Sequence, residues 1–291
     1  MNMLLLVPIL LPVICGIIVL FLKNETKHQN HLFIFAALLA NALICIYIAV
    51  SGVSELTLFS LREGLTIFFR VDDISRIFII MFSVIWALVA LAAFEYMRHE
   101  KSENRFFGFY MIVSGALIAM ALAGNVFSMY LFYEMITLTS MPLVMHTLSH
   151  ESIMAALTYT FYSIAGAFMV LFGIFVLYTV VPEPAFAPGG LLAGTDVATS
   201  PLLQAAVFSM IVGFGTKAGM FPMHGWLPTA HPVAPAPASA VLSGVITKAG
   251  VLGIIRVVYY VAGAEFIRGT WIQKAWLVLI LITIFMGSML A

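Results

Sequence analysis

Runs of about twenty apolar residues recur along this chain from one end to the other, most of them separated by only a few polar residues. A helix of that length crosses the hydrocarbon layer with its backbone bonds satisfied internally, so the pattern calls for a bundle of membrane helices. Composition agrees. Of 291 residues, 63% are hydrophobic and 9% charged, more apolar surface than a soluble domain can hide. The 13 basic and 13 acidic residues balance, which removes the basic footprint expected of a nucleic-acid partner. Cys15 and Cys45 each lie within an apolar run and read as buried packing residues, not as a disulfide or a metal pair.

Hydropathy places about nine spans near residues 2–22, 31–50, 75–97, 106–123, 125–147, 154–181, 201–221, 238–262 and 272–291. The beginning, Met1 to Pro8, lacks a basic leader and a small-residue cleavage site, so it reads as a retained first span. The last span runs to Ala291 without a closing polar flank, the pattern expected of a fragment or a shortened paralogue. The link Ala123-Gly124-Asn125 is so short that its flanking helices must run antiparallel. Residues 182–200 form the one linker rich in proline and glycine, expected to be solvated and irregular. Residues 55–71 break the helical rule. Two β-prone runs flank Arg62-Glu63-Gly64 and predict a small hairpin capping the bundle, with an amphipathic surface loop as the alternative. An outside N-terminus puts Lys23, Lys27, Arg98, Lys101 and Arg105 inside and leaves Arg62, Arg70, Arg268 and Lys274 outside. That is a slight positive-inside bias, and it makes the hairpin periplasmic.

Three ionisable side chains fall deep within spans. Glu134 and Lys248 each lie about ten residues into their helices, roughly 15 Å down, and Lys217 lies just before Pro222. An ammonium at bilayer depth costs roughly 2.5–3.5 kcal/mol even on forgiving scales, so such groups mark function by default. Pro222, Pro228, Pro232 and Pro235 predict a broken helix beside Lys217, as in half-helices that line ion pathways. Desolvation favours a neutral amine and a nearby carboxylate favours the ammonium, which makes Lys217 near Glu134 a charge-controlled proton store. The bland reading is a structural buried pair that stabilises helix association. His224 and His231 are candidate relays, or else partners of carbonyls freed by the break. His146 and His150, at a helix end, read as surface groups or a proton entrance. Arg256 and Glu95, nearer helix ends, are expected to snorkel. No iron–sulfur, dinucleotide or Walker motif occurs, so no cofactor or metal is expected in this chain.

The segment Gly213-Phe-Gly-Thr216-Lys217-Ala-Gly…Pro222-Met-His224-Gly-Trp-Leu-Pro228-Thr-Ala-His231-Pro…Ala234-Pro, followed by Gly244-Val-Ile-Thr-Lys248-Ala-Gly…Arg256, resembles the antiporter-like subunit family. That family is shared by proton-pumping NADH:quinone oxidoreductase, membrane-bound hydrogenases of the hydrogenase-4 and formate hydrogenlyase type, and multisubunit Na⁺/H⁺ antiporters. Tyr133-Glu134 and Val71-Asp72-Asp73-Ile-Ser75 are weaker matches. By resemblance, Glu134 corresponds to the family's acid in the fifth helix, Lys217 to the central lysine on the broken seventh, and Lys248 to the connecting lysine of the eighth. The implied fold is all-α, a polytopic transmembrane bundle of about fourteen helices in two inverted repeats. This chain covers the first repeat and the start of the second. Residues 1–100 form the N-terminal helices with the hairpin, and 101–291 a partial proton-translocating antiporter-like domain.

The resemblance implies a subunit that moves H⁺, or exchanges Na⁺ for H⁺, through a row of Glu134, Lys217, Lys248 and the two histidines. It would do so in a multisubunit redox-driven pump or antiporter. Its expected partners are other membrane subunits, including homologous antiporter-like ones, a peripheral redox module and the lipid bilayer of the cell inner (plasma) membrane. The alternative is a non-pumping scaffold subunit. A stand-alone transporter is disfavoured, because half of the family's bundle lies outside these residues. Thr216 beside Lys217 and the phrase Ala230-His231-Pro232-Val-Ala-Pro235 look more like the hydrogenase and antiporter branches than the respiratory one.

Overall fold

Polar residues between the apolar runs set where the helices begin. Asp72 caps α3 (Asp73–Met97) through a capping box: its carboxylate accepts from the Ser75 N–H at 2.9 Å, and Ser75 Oγ accepts from the Asp72 N–H at 2.7 Å. Asn125 caps α5 (Val126–Val144) by accepting from the Ser128 N–H at 2.7 Å, and Ser149 caps α6 (His150–Val180) in the same way. The structure is a computed structural model that describes residues 3–22, 27–52, 55–62, 65–182, 184–192 and 200–290.

A 3₁₀ turn at Met3–Leu6 leads into α1 (Val7–Phe21), followed by α2 (Lys27–Val50), strands β1 (Glu55–Arg62) and β2 (Leu65–Arg70), α3, α4 (Glu103–Leu122), α5, α6 and α7 (Pro201–Ala218). The chain then breaks. The short α8 (Leu227–Ala230) precedes a span at Ala236–Ala262 composed of α9 (Ala236–Val241), a π-helical turn, α10 (Thr247–Arg256) and a second π-helical turn. The short α11 (Ala264–Ile267) and then α12 (Trp271–Leu290) follow. Each expected span coincides with one of these helices. Among the described residues, eight are long and apolar enough to cross a membrane. The ninth, α5, falls short because it carries Glu134, Thr137, Thr139 and Ser140.

Helices α6 and α7 run antiparallel, with Gly166 facing Gly213 and Gly173 facing Ala206. The backbones of α6 and α7 meet at Gly166 and Gly213, where a Cβ on Gly166 would lie 2.7 Å from the Gly213 carbonyl oxygen, so only a residue without one fits. Trp86 on α3 and Tyr110 on α4 cross-bond reciprocally, Trp86 Nε1 donating to the Tyr110 carbonyl at 3.0 Å and the Tyr110 hydroxyl to the Trp86 carbonyl at 2.7 Å. By contrast, α12 packs little against the rest and is largely exposed.

The hairpin forms as expected: β1 and β2 pair antiparallel with Glu55 opposite Arg70, and the Arg70 Nε donates to Glu55 at 2.6 Å. Residues 63–64 of its expected turn lie outside the described residues. The hairpin sits on the junction of α4 and α5, where the Gly124 N–H donates to the Phe68 carbonyl and the Asn125 side chain to the Thr66 carbonyl.

Three expectations need correction. The described part of the 182–200 linker is irregular, as expected, but solvated only in part, at Pro182, Pro188 and Gly189. Phe186 and Leu192 are buried, and residues 186–192 bond to Gly124, Tyr259, Tyr260 and Val261, because the two apolar side chains need cover. Residues 183 and 193–199 lie outside the described residues. Arg256 does not snorkel. It is 1% exposed and forked onto Asp72, because the α3 cap brings a carboxylate within reach. His146 is buried, not a surface group: its Nε2 bonds the Lys101 carbonyl at 3.0 Å and its own carbonyl accepts from Arg105. Burial and the Arg105 charge both push its imidazole below the ordinary histidine range. His150, in contrast, is exposed as expected.

Candidate functional site

Lys217 lies in the last turn of α7, and the helix stops one residue later. Gly219 adopts φ 83°, the left-handed conformation that ends helices, and the Met220 N–H reaches back to the Gly215 carbonyl at 2.9 Å. Trp226 folds back over this end. Its indole N–H donates to the Thr216 carbonyl at 2.9 Å, satisfying an acceptor that the helix end leaves open. Its ring packs on Tyr159 at 5.0 Å. The break therefore presents the carbonyl end of the α7 dipole to the lysine, which favours a cation there.

The ammonium itself is fully enclosed, at 0% exposure. It donates to the Thr137 hydroxyl at 2.9 Å and the Tyr159 hydroxyl at 3.2 Å, and lies over the rings of Tyr133 and Tyr159 at 4.8 and 5.2 Å. Tyr159 is in turn bonded to Ser140 at 2.8 Å, and the Tyr133 hydroxyl donates to the Gly213 carbonyl one turn before Lys217. Thr137 is midway along α5, so the amine meets that helix near its centre. Among the described residues, the groups that bond or face this amine are hydroxyls and π-faces.

Glu134 stands one turn before Thr137 on α5 and is electrostatically coupled to Lys217. It does not touch the ammonium: its buried Oε1 has no hydrogen-bond partner, and Lys217 bonds hydroxyls instead. The acid and the central lysine of the expected row are thus neighbours across α5 and α7, without a direct ion pair.

The rest of the row is arranged differently. Gly250 faces α7 closely enough that a Cβ would lie 2.7 Å from the Phe214 carbonyl oxygen. Lys248, two residues earlier and so about 200° around the helix, is exposed on the opposite side, bonded to the Ser243 carbonyl at 2.8 Å and to Thr247 at 3.4 Å. His231 bonds Ser239 through Nδ1 at 2.7 Å and stacks on Trp226. His224 packs beside Phe221, and its buried Nδ1 has no partner. Among the described residues, His231 connects to Lys217 only through Trp226, and Lys248 does not join the cage.

Sequence reasoning missed the cage residues Thr137, Tyr159 and Tyr133. A signal was present: Tyr133, Thr137 and Ser140 recur at helical spacing on the α5 face next to Glu134. It also missed the clamp of Arg256 on Asp72. There the Nη2 donates at 2.8 Å, the Nη1 donates to the other oxygen, and the guanidinium lies over the rings of Phe186 and Tyr260 at 4.8 and 4.6 Å.

A broken helix ending in a caged lysine, beside a membrane-buried acid, defines an antiporter-like membrane protein. Residues 123–291, more than half of the chain, match the model of the NADH:quinone oxidoreductase/Mrp antiporter transmembrane family, and the chain belongs to that family. It is 35% identical over 191 residues to hydrogenase-4 component B of Escherichia coli, covering 65% of this chain and 28% of the relative. It is 25% identical over 261 residues to a Na⁺/H⁺ antiporter subunit of Alkalihalophilus pseudofirmus, covering 88% of this chain and 52% of the relative. The chain therefore spans about half, or less, of the length of these relatives. Among solved structures, an archaeal membrane-bound sulfane sulfur reductase complex contains a chain with the same fold, at TM-score 0.73 and 20% identity, covering 88% of this chain and 53% of that one. The Mrp complex of a Dietzia species matches at TM-score 0.73 and 20% identity, covering 88% of this chain and 49% of that one.

Proposed function

We propose that this chain translocates protons, or exchanges Na⁺ for H⁺, as a membrane subunit of a multisubunit redox-driven pump or antiporter in the cell inner (plasma) membrane. The observation that carries this reading is the Lys217 cage. A fully buried amine is held by hydroxyls that can donate as well as accept, so the site can solvate the neutral amine as well as the ammonium. A carboxylate in contact would instead lock the proton in place. Glu134, coupled but not touching, can tip the balance from a short distance. Relatives among hydrogenase-4, NADH-quinone oxidoreductase and Na⁺/H⁺ antiporter subunits support a complex of one of those kinds, with homologous membrane subunits and, in the redox case, a peripheral module as partners.

In this scheme Lys217 is the proton store and Glu134 its tuner. Lys248 is the second stop once its outer face is covered, and His224 and His231 are relays at the break. A scaffold reading also has an observation behind it: the Lys217 ammonium is well satisfied where it sits. Ion flux separates the two. The intact complex, reconstituted in liposomes with a pH-sensitive and a Na⁺-sensitive dye, should pump, and the Lys217→Met complex should assemble but fall to the leak of empty liposomes. Near-normal flux from the methionine variant rules out the store and leaves the scaffold.

A further inference from the structure

A π-helical turn, Leu242–Ile246, interrupts the Ala236–Ala262 span just before Lys248. In an α-helix the Thr247 N–H would donate to the Ser243 carbonyl. Here it reaches back one residue further, to Leu242. The Ser243 carbonyl, released from that bond, is taken by two side chains: the Thr247 hydroxyl donates to it at 2.6 Å and the Lys248 ammonium at 2.8 Å. Within a membrane span a freed carbonyl needs such donors. The ammonium and the open turn therefore stabilise one another.

The helix differs in freedom on the two sides of the turn. After it, α10 is committed to α7: a Cβ on Gly250 would lie 2.5 Å from the Ala218 nitrogen, and one on Gly253 2.4 Å from the Phe214 ring. A one-residue shift of α10 would set Ala249 or Val251 in place of Gly250, where no side chain fits. Before the turn, α9 is less constrained. Ala236, Ala238, Ser239 and Ala240 are all small, so little packing changes whichever of them faces inward. An apolar groove of about 410 Å³ beside α3, lined by Leu88, Val89, Ala236 and Ala240 among others, leaves α9 room to move. Ser239 on α9 bonds His231 Nδ1 at 2.7 Å, His231 stacks on Trp226, and Trp226 holds the Thr216 carbonyl next to Lys217.

We propose that the Leu242–Ile246 turn is a register switch that couples Lys248 to the helix break after Lys217. While the ammonium holds the Ser243 carbonyl, the π-turn stays open and Ser239 meets His231. Without the ammonium, the Thr247 N–H recovers Ser243 and the turn closes to α. With α10 fixed, α9 then turns by about 100° and moves about 1.5 Å along its axis. Ser239 leaves His231, and the stack on Trp226 loosens. Lys248 and Lys217 influence each other in this way although Lys248 stands outside the cage, the turn being the two-state element that both bias. Helix register alone is at stake, whether or not the chain moves ions.

The test is disulfide crosslinking in the complete complex in native membranes, with cysteines at Leu88 and Ala240, which line the same groove. With Lys248 in place the pair should crosslink on mild oxidation. Lys248→Met should lower the yield several-fold as Ala240 turns out of the groove, and Lys248→Arg, which keeps a charged donor for Ser243, should retain it. A cryo-EM map of the Lys248→Met complex should show the Thr247 N–H on Ser243 and Ser239 apart from His231. An unchanged yield in Lys248→Met, or a closed turn with the Ser239–His231 bond intact, overturns the proposal. Deleting Gly244 takes one residue out of the turn, so the helix can be α throughout while α9 and α10 keep their places. Lys248→Met added to that deletion should then leave the yield unchanged, and a further fall would overturn the switch, because the lysine would be acting outside the turn. Should Lys248→Met fail to assemble, Lys248→Gln, neutral and shorter but still polar, decides by the same yield. Loss of ion flux with these crosslinks behaving as expected would sink the translocation reading and leave the switch standing.

Discussion

Lys217 and Arg256 are both buried cations within one bundle, yet they are held in opposite ways. Arg256 is forked onto the Asp72 carboxylate and lies against the rings of Phe186 and Tyr260. Lys217 touches hydroxyls and rings, while its nearest coupled acid, Glu134, stands apart. A guanidinium never loses its proton in a protein, so a permanent anion suits it. An amine can lose its proton once buried, and neutral partners leave it free to do so. The comparison separates a tie that fastens the hairpin-side ends of α3 and the Ala236–Ala262 span from an amine held by neutral groups.

The comparison breaks most visibly at Lys217. Lys217→Arg should keep the positive charge, leave assembly intact and abolish ion flux in reconstituted liposomes, because the arginine cannot discharge. Flux near the native level with arginine there would mean that charge alone suffices.

Next in size is the clamp. Asp72→Ala should cost about 3–5 kcal/mol, since it strands the Arg256 charge inside the protein. Melting in detergent should drop sharply, and the double variant Asp72→Ala/Arg256→Met should recover part of the loss. Burial alone would raise the Asp72 carboxyl, but the bonds and charge of Arg256, with the Ser75 N–H, outweigh it and hold the group below the ordinary carboxylate range. The clamp's contribution is therefore complete above the unfolded value near pH 4 and disappears as the pH falls through the lowered folded value. Asp72→Asn should flatten the acid limb of the stability profile below about pH 4. An unchanged acid limb would show that Asp72 titrates as it does in the unfolded chain.

A smaller effect is expected from Glu134→Gln, which should lower flux without abolishing it. Added to Lys217→Met, it should do no further harm, because the acid acts through the lysine. Measurement of the full cycle decides the point, and additive losses would make Glu134 an independent site. The mildest change is Tyr159→Phe, which removes one of the two hydroxyls on the ammonium and the bond to Ser140. It should cost about 1 kcal/mol, seen as a flux reduced several-fold with unchanged assembly. A drop as large as that of Lys217→Met would make Tyr159 a proton carrier in its own right.

Much of the architecture could be read from the residues. Apolar runs near twenty residues located the helices, proline and glycine located the break after Lys217, and β-prone runs located the hairpin. All three are local effects of backbone chemistry and hydrophobic length. Glu134, Lys217 and Lys248 stood out because charge is costly in lipid, and that cost is a property of each residue alone.

Residue type could not say which way each charge turns. Lys217 and Lys248 look equivalent in sequence, yet one is caged and the other exposed, because Gly250 commits the opposite face of its helix to α7. Arg256 reads as a snorkelling residue until the α3 cap, 184 positions away, supplies Asp72. Sequence by itself determined the membrane helices, their break and which side chains needed an explanation, since each follows from short-range geometry and transfer cost. Tertiary structure alone decided which hydroxyls, rings and carboxylates meet those charges, because partners far apart in the chain come together only when the helices pack.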